Sequence, residues 1–67
     1  MKEVDARGLS CPEPIMLTLD AIKGNKDTVK VIVSEPHQKT NVEKCAKDQG
    51  RTTETVEKDG YFEVVIK

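Results

Sequence analysis

The chain has no tryptophan, one tyrosine, one phenylalanine and one histidine in 67 residues. Such scarcity excludes a core built on large rings. It also excludes the rows of aromatic platforms on which single-stranded nucleic acid stacks. Basic surplus is missing too: 11 Lys and Arg face 12 Asp and Glu, for a net charge of -1. Phosphate-driven binding calls for a clearly basic domain, so direct nucleic-acid binding is not expected. No apolar run is long enough to cross a bilayer, and the first residues lack the apolar stretch of a secretory signal. The expected compartment is the cytoplasm. Two cysteines, Cys11 and Cys45, fall short of the cysteine density of small secreted scaffolds. A reducing compartment disfavours a bridge between them, so each thiol needs its own explanation. Cys11, His37 and Cys45 do not have zinc-site spacing and lack a fourth ligand, so no metal site is expected.

What is present fits one domain, residues 1–67, with a thin core, since 36% of the residues are hydrophobic. Val4 and Ala6 alternate with Glu3, Asp5 and Arg7, the pattern of a short strand. Ile15, Leu19 and Ile22 recur at helical spacing up to Lys23, where Gly24-Asn25 supplies a stop. Val29, Val31 and Val33 alternate with Lys30 and Ile32 in the strongest strand pattern of the chain. Glu35-Pro36 ends it, because the residue before proline avoids the helical region. A second helix is expected over roughly 38–49, with Val42, Cys45, Ala46 and Gln49 on one face and Gly50 as its terminator. Thr52 to Glu57 is β-prone, Asp59-Gly60 is a turn, and Phe62, Val64 and Ile66 form one face of the last strand.

The turn admits two registers. A two-residue loop at Asp59-Gly60 pairs Glu57 with Phe62 and turns Val56 to the opposite face. A three-residue loop, Lys58-Asp59-Gly60, pairs Val56 with Phe62 and points Glu54 toward the core side. Apolar pairing favours the second. The order β-α-β-α-β-β, with right-handed crossovers, places both helices on one face of a mixed four-stranded sheet. The fold class is therefore α/β, a two-layer sandwich with one sheet face left to solvent or a partner.

The densest local signal is Gly8-Leu9-Ser10-Cys11-Pro12-Glu13-Pro14. Proline suits the first helical turn, where the amide it lacks would have no partner. Pro12 therefore reads as the first helical position and Cys11 as the N-cap, with Gly8 turning the chain out of the first strand. Pro14 removes a further amide, so the two prolines stiffen the site and matter for the direction of the thiol more than for folding. A thiol at a helix N-terminus feels the positive end of the macrodipole, which favours the thiolate. Arg7 adds to this effect and Glu13 opposes it. Ser10 offers a competing cap, with Glu13 closing a capping box, and Cys11 then stays in the first turn.

Asp5-x-x-Gly8-Leu9-x-Cys11-Pro12-x-Pro14, between a short strand and a helix, resembles the signature of the TusA-like (SirA-like) small sulfur carriers. The resemblance runs on through Glu35-Pro36, Asn41-Val42, Gln49-Gly50 and Asp59-Gly60-Tyr61-Phe62, with Asn41 and that ending closer to the YedF-like branch. It implies a two-layer sandwich, a cytoplasmic sulfur carrier or sulfurtransferase, and a persulfide carried on Cys11. Asp5, Arg7, Gly8, Pro12, Glu13 and Pro14 would support that thiol. It further implies a cysteine desulfurase or rhodanese-like protein as donor. The acceptor would be a DsrE-like protein or a thiolation enzyme, in tRNA thiolation, sulfur oxidation or related sulfur or selenium metabolism. No cofactor is expected, because one thiolate suffices to attack and hold a sulfane sulfur.

Other readings are weaker. Cys45, beside Val42 and Ala46, reads as a core cysteine rather than a resolving thiol. His37 reads as a solvated loop residue. Lys39, Lys44, Lys47 and Arg51 give the second helix a basic side, a solvated face able to steer an acidic partner. The alternative function is a nucleic-acid-binding or regulatory interaction module without sulfur transfer.

Overall fold

The run Val29–Val33 organises the molecule, because it is an inner strand with a hydrogen-bonded neighbour on either side. The computed structural model describes residues 2–9, 13–24 and 27–67. Its elements are β1 (Lys2–Asp5), α1 (Glu13–Ile22), β2 (Val29–Val33), α2 (Pro36–Asp48), β3 (Thr53–Lys58) and β4 (Tyr61–Ile66). The sheet order is β1-β2-β4-β3; β1 lies parallel to β2, and the other neighbours are antiparallel. The α/β architecture expected from the sequence is the one observed.

Alternation on β2 sends Val29, Val31 and Val33 to the helix side, where they pack with Val42, Ala46, Val64 and Ile66. Each such side chain, fully buried, contributes about 1.5–3 kcal/mol relative to exposure. Ile32 points the other way, yet is only 6% exposed, with Asp5 and Glu63 as its cross-strand neighbours. On that open face Lys30 reaches Glu3 and Glu63, each at 3.8 Å. Both edge strands, KEVD and TETVEK, are rich in charge, which discourages further strand pairing there.

The helix α1 buries only part of the periodic stripe, Ile22 above all. Pro14, Thr18, Ala21 and Ile22 are inside, while Ile15 is half-buried and Met16, Leu17 and Leu19 are 59%, 37% and 36% exposed. Small side chains let α1 sit close to the sheet. The buried Thr18 hydroxyl is satisfied by the Pro14 carbonyl at 2.7 Å. The helix α2 starts at Pro36, two residues earlier than expected, with Glu35 as an extended N-cap that makes no side-chain capping bond. It ends in a Schellman motif, with Arg51 N–H donating to the Ala46 carbonyl and Gly50 N–H to that of Lys47.

The hairpin corrects the three-residue loop expected above. Glu57 pairs with Phe62 and Lys58 with Tyr61, so Asp59-Gly60 is a two-residue loop. Only Gly60 takes a positive φ there, +87°, which a glycine accepts without strain. The physical reason is where the charge falls. This register places Thr53 and Thr55 on the helix side with Glu57 exposed near the strand's end, and Glu54 on the open face, where Lys67 binds it at 2.7 Å. The preferred register would have turned Glu54 inward. Thr55 donates its hydroxyl to Glu43 of α2, which ties the edge strand to the helix layer.

Candidate functional site

Since β1 and β2 are parallel neighbours, their carboxyl ends emerge at one edge of the sheet, where open α/β sheets place their reactive groups. Both helices begin there, and so does β4, whose Phe62 lies opposite Val33. The same edge thus collects residues 5–9, the start of α1, residues 34–38 and Tyr61. Ser10, Cys11 and Pro12 lie outside the described residues. So does the expectation that Cys11 caps α1 with Pro12 at its first position.

The segment leading toward that thiol is tied down at every step. Arg7 forks onto Asp5, with Nε at 2.9 Å from Oδ1 and Nη2 at 2.8 Å from Oδ2. The Arg7 amide donates to the same Asp5 carboxylate at 3.1 Å. The Arg7 side chain, then its amide, hold the Asp5 pKa down at about 2. The guanidinium also lies 5.3 Å from the centroid of the Tyr61 ring. Arg7 is therefore committed to an anion and an aromatic face, and its part is to shape this turn rather than to offer an unpaired cation.

Gly8 follows at φ +78°, a conformation that reverses the chain and suits a residue without Cβ. Its amide donates to Ser34 Oγ at 3.0 Å. The Leu9 amide donates to the Ala6 carbonyl at 3.3 Å, and Gln38 Nε2 donates to the Leu9 carbonyl at 2.6 Å. Beyond the undescribed residues, Glu13 is exposed in the first turn of α1 and Pro14 is fully buried. Pro14 is thus buried as well as placed in the first turn, so packing joins the directional part expected of it.

Cys45 also departs from expectation. It is half-buried rather than in the core, in the last turn of α2, and lines a groove between the helices with Ile15, Leu19 and Asp48. Burial first, and Asp48 second, push its thiol above the ordinary range. It lies about 13 Å along the helix axis from Pro36, at 1.5 Å per residue. His37 is exposed at the start of α2. The basic residues do not act as one face. Lys39 Nζ lies 5.8 Å from the Phe62 ring centroid, Arg51 donates to the carbonyls of Lys67 and Asp27, and Lys44 and Lys47 are exposed.

Sequence reasoning missed Ser34, Gln38 and Tyr61. The available signal was topological, since a right-handed β-α-β unit brings the end of β2 beside the end of β1. Among the described residues, no group of three or more His, Cys, Asp or Glu could hold a metal ion. No helix among them is long and apolar enough to cross a membrane.

Comparison with known proteins agrees with this geometry. The family model of the sulfurtransferase TusA matches residues 2–67. No sequence match was found among curated proteins. Among solved structures, the chain is similar to the SirA-like protein from Desulfitobacterium hafniense. The identity is 33%, the coverage 98% of this chain and 95% of that one, and the TM-score 0.86.

Proposed function

Because the chain belongs to the TusA sulfurtransferase family, a family of sulfur carriers, we propose that Cys11 is its carrying thiol and holds sulfane sulfur as a persulfide. The observation that carries this reading is the tethering of Gly8 and Leu9 by Ser34 and Gln38, with only Ser10 between them and Cys11 in the chain. The end of β2 and the start of α2 thus hold the backbone ahead of Cys11, and support of this kind is what a transfer site requires.

Loading begins when the Cys11 thiolate attacks the outer sulfur of a donor persulfide. The new S–S bond forms as the donor's own S–S bond breaks, and the donor leaves as a thiolate. Discharge repeats the exchange: an acceptor thiolate attacks the outer sulfur and the Cys11 thiolate is restored. One sulfur atom moves at each step, no external oxidant or reductant enters, and no metal or organic cofactor is needed. Asp5, Arg7, Gly8, Pro12, Glu13 and Pro14 support the thiol by fixing the chain on either side of it.

The donor is a cysteine desulfurase or a rhodanese-like protein, and the acceptor a DsrE-like protein or thiolation enzyme, in the cytoplasm. The reading is tested by incubating the protein with a cysteine desulfurase and cysteine and following intact mass. Wild type and Cys45→Ala should each gain the mass of one sulfur, and Cys11→Ser should gain none. Equal loading of Cys11→Ser would refute the assignment.

A further inference from the structure

Gln38 is a buried amide with an unexplained half. It is 5% exposed, on the same α2 stripe as the buried Val42 and Ala46. Its Nε2 makes the 2.6 Å bond to the Leu9 carbonyl, and its Oε1 is buried without a hydrogen-bond partner among the described residues. An unsatisfied buried acceptor is destabilising, so each such group in a folded protein calls for a reason. A leucine or methionine would fill the same space on the α2 stripe without that cost. What either would forfeit is the bond to Leu9, a link between α2 and the chain ahead of Cys11 that runs through a side-chain donor on α2.

We propose that Gln38 is a positioning residue for sulfur transfer: it clamps the Leu9 carbonyl and so fixes the direction in which the chain leaves toward Cys11. This rests on Cys11 being the carrying thiol. Ser34 holds the Gly8 amide from the end of β2 and Gln38 holds the Leu9 carbonyl from α2, so donor and acceptor tethers grip consecutive residues from two elements. Gln38 trades stability for direction, the usual relation between a supporting residue and a site.

Gln38→Leu removes the clamp and the orphaned acceptor together. Its thermal midpoint should equal or exceed that of wild type. Amide-exchange protection at Gly8 and Leu9 should fall about fivefold to tenfold, as the loss of one hydrogen bond implies, while β2 keeps its protection. Sulfur loading from a desulfurase should slow by a similar factor. Gln38→Met repeats the test with an unbranched side chain should the leucine variant fold poorly. Gln38→Glu supplies a signature that a packing role would not produce. Its neutral carboxyl can donate to the Leu9 carbonyl, and its carboxylate cannot. Loop protection in that variant should be present below the carboxyl pKa and lost above it. Unchanged protection in Gln38→Leu, equal losses in the loop and β2, or lost protection with normal loading would each overturn the proposal. Wild type that takes up no sulfur would instead refute the Cys11 reading, while the exchange data would still decide whether the clamp exists.

Discussion

Arg7 and Tyr61 meet face on, the guanidinium 5.3 Å from the ring centroid, and join the exit of β1 to the first residue of β4. The same guanidinium is forked onto Asp5, so the aromatic face receives a cation already held in place. The ring's quadrupole attracts a cation so placed. A double-mutant cycle with Arg7→Gln and Tyr61→Leu should return a favourable coupling energy from chemical denaturation. Strict additivity would show that the two residues are mere neighbours.

Asp5 gives the fold an acid limb. Its folded pKa, about 2, is below the ~3.9 of an unfolded chain, so its contribution is present above the unfolded value. That contribution is lost as pH falls through the folded value. Thermal midpoints measured between pH 5 and about 1.5 should therefore fall less steeply for Asp5→Asn than for wild type in the window from ~4 to ~2. Parallel curves would contradict the Arg7 pairing.

Pro14 is fully buried and its carbonyl accepts the Thr18 hydroxyl. Pro14→Ala removes two buried methylenes, at about 0.8 kcal/mol each, and frees the unfolded chain. The expected loss is about 2 kcal/mol, or roughly 10 °C in a domain of this size. A loss below about 0.5 kcal/mol by denaturant titration would show that the ring is not packed.

Cys45 should react with a neutral alkylating reagent in the folded protein, slowly and without denaturant, because it lines a groove rather than the core. In a Cys11→Ser background its rate should rise with pH through a midpoint above that of a free thiol. Asp48→Asn should lower that midpoint by removing the nearby negative charge. A midpoint below the free value, or none of the expected response to Asp48→Asn, would contradict this picture of the groove.

Much of this could be read from the chain. Alternation in Val29–Val33, Glu35-Pro36 and Gly50 marked the central strand and the limits of α2, because they act through local backbone geometry. The α1 interior was misread because apolar periodicity favours Ile15 and Leu19, whereas close packing on a sheet favours the small Ala21 and a self-satisfied Thr18. The hairpin register was misread because pairing Val56 with Phe62 looks favourable until Glu54 must face the core. At the site, the Cys11 signature is local and was legible; that it includes Asp5 and Arg7 was legible too, but not that the two pair with each other. Ser34 and Gln38 were not, since they reach the loop only after β2 and α2 have been placed beside it.

The central claim is that one particular thiol carries the sulfur. Wild type loaded by a cysteine desulfurase, capped by alkylation and digested with trypsin, separates the two candidates, because Cys11 and Cys45 fall on different peptides. The account predicts the added sulfur on the peptide running from Gly8 to Lys23, and its removal when an acceptor thiol is supplied before capping. Sulfur on the Cys45 peptide, with Cys11 unmodified, would contradict it.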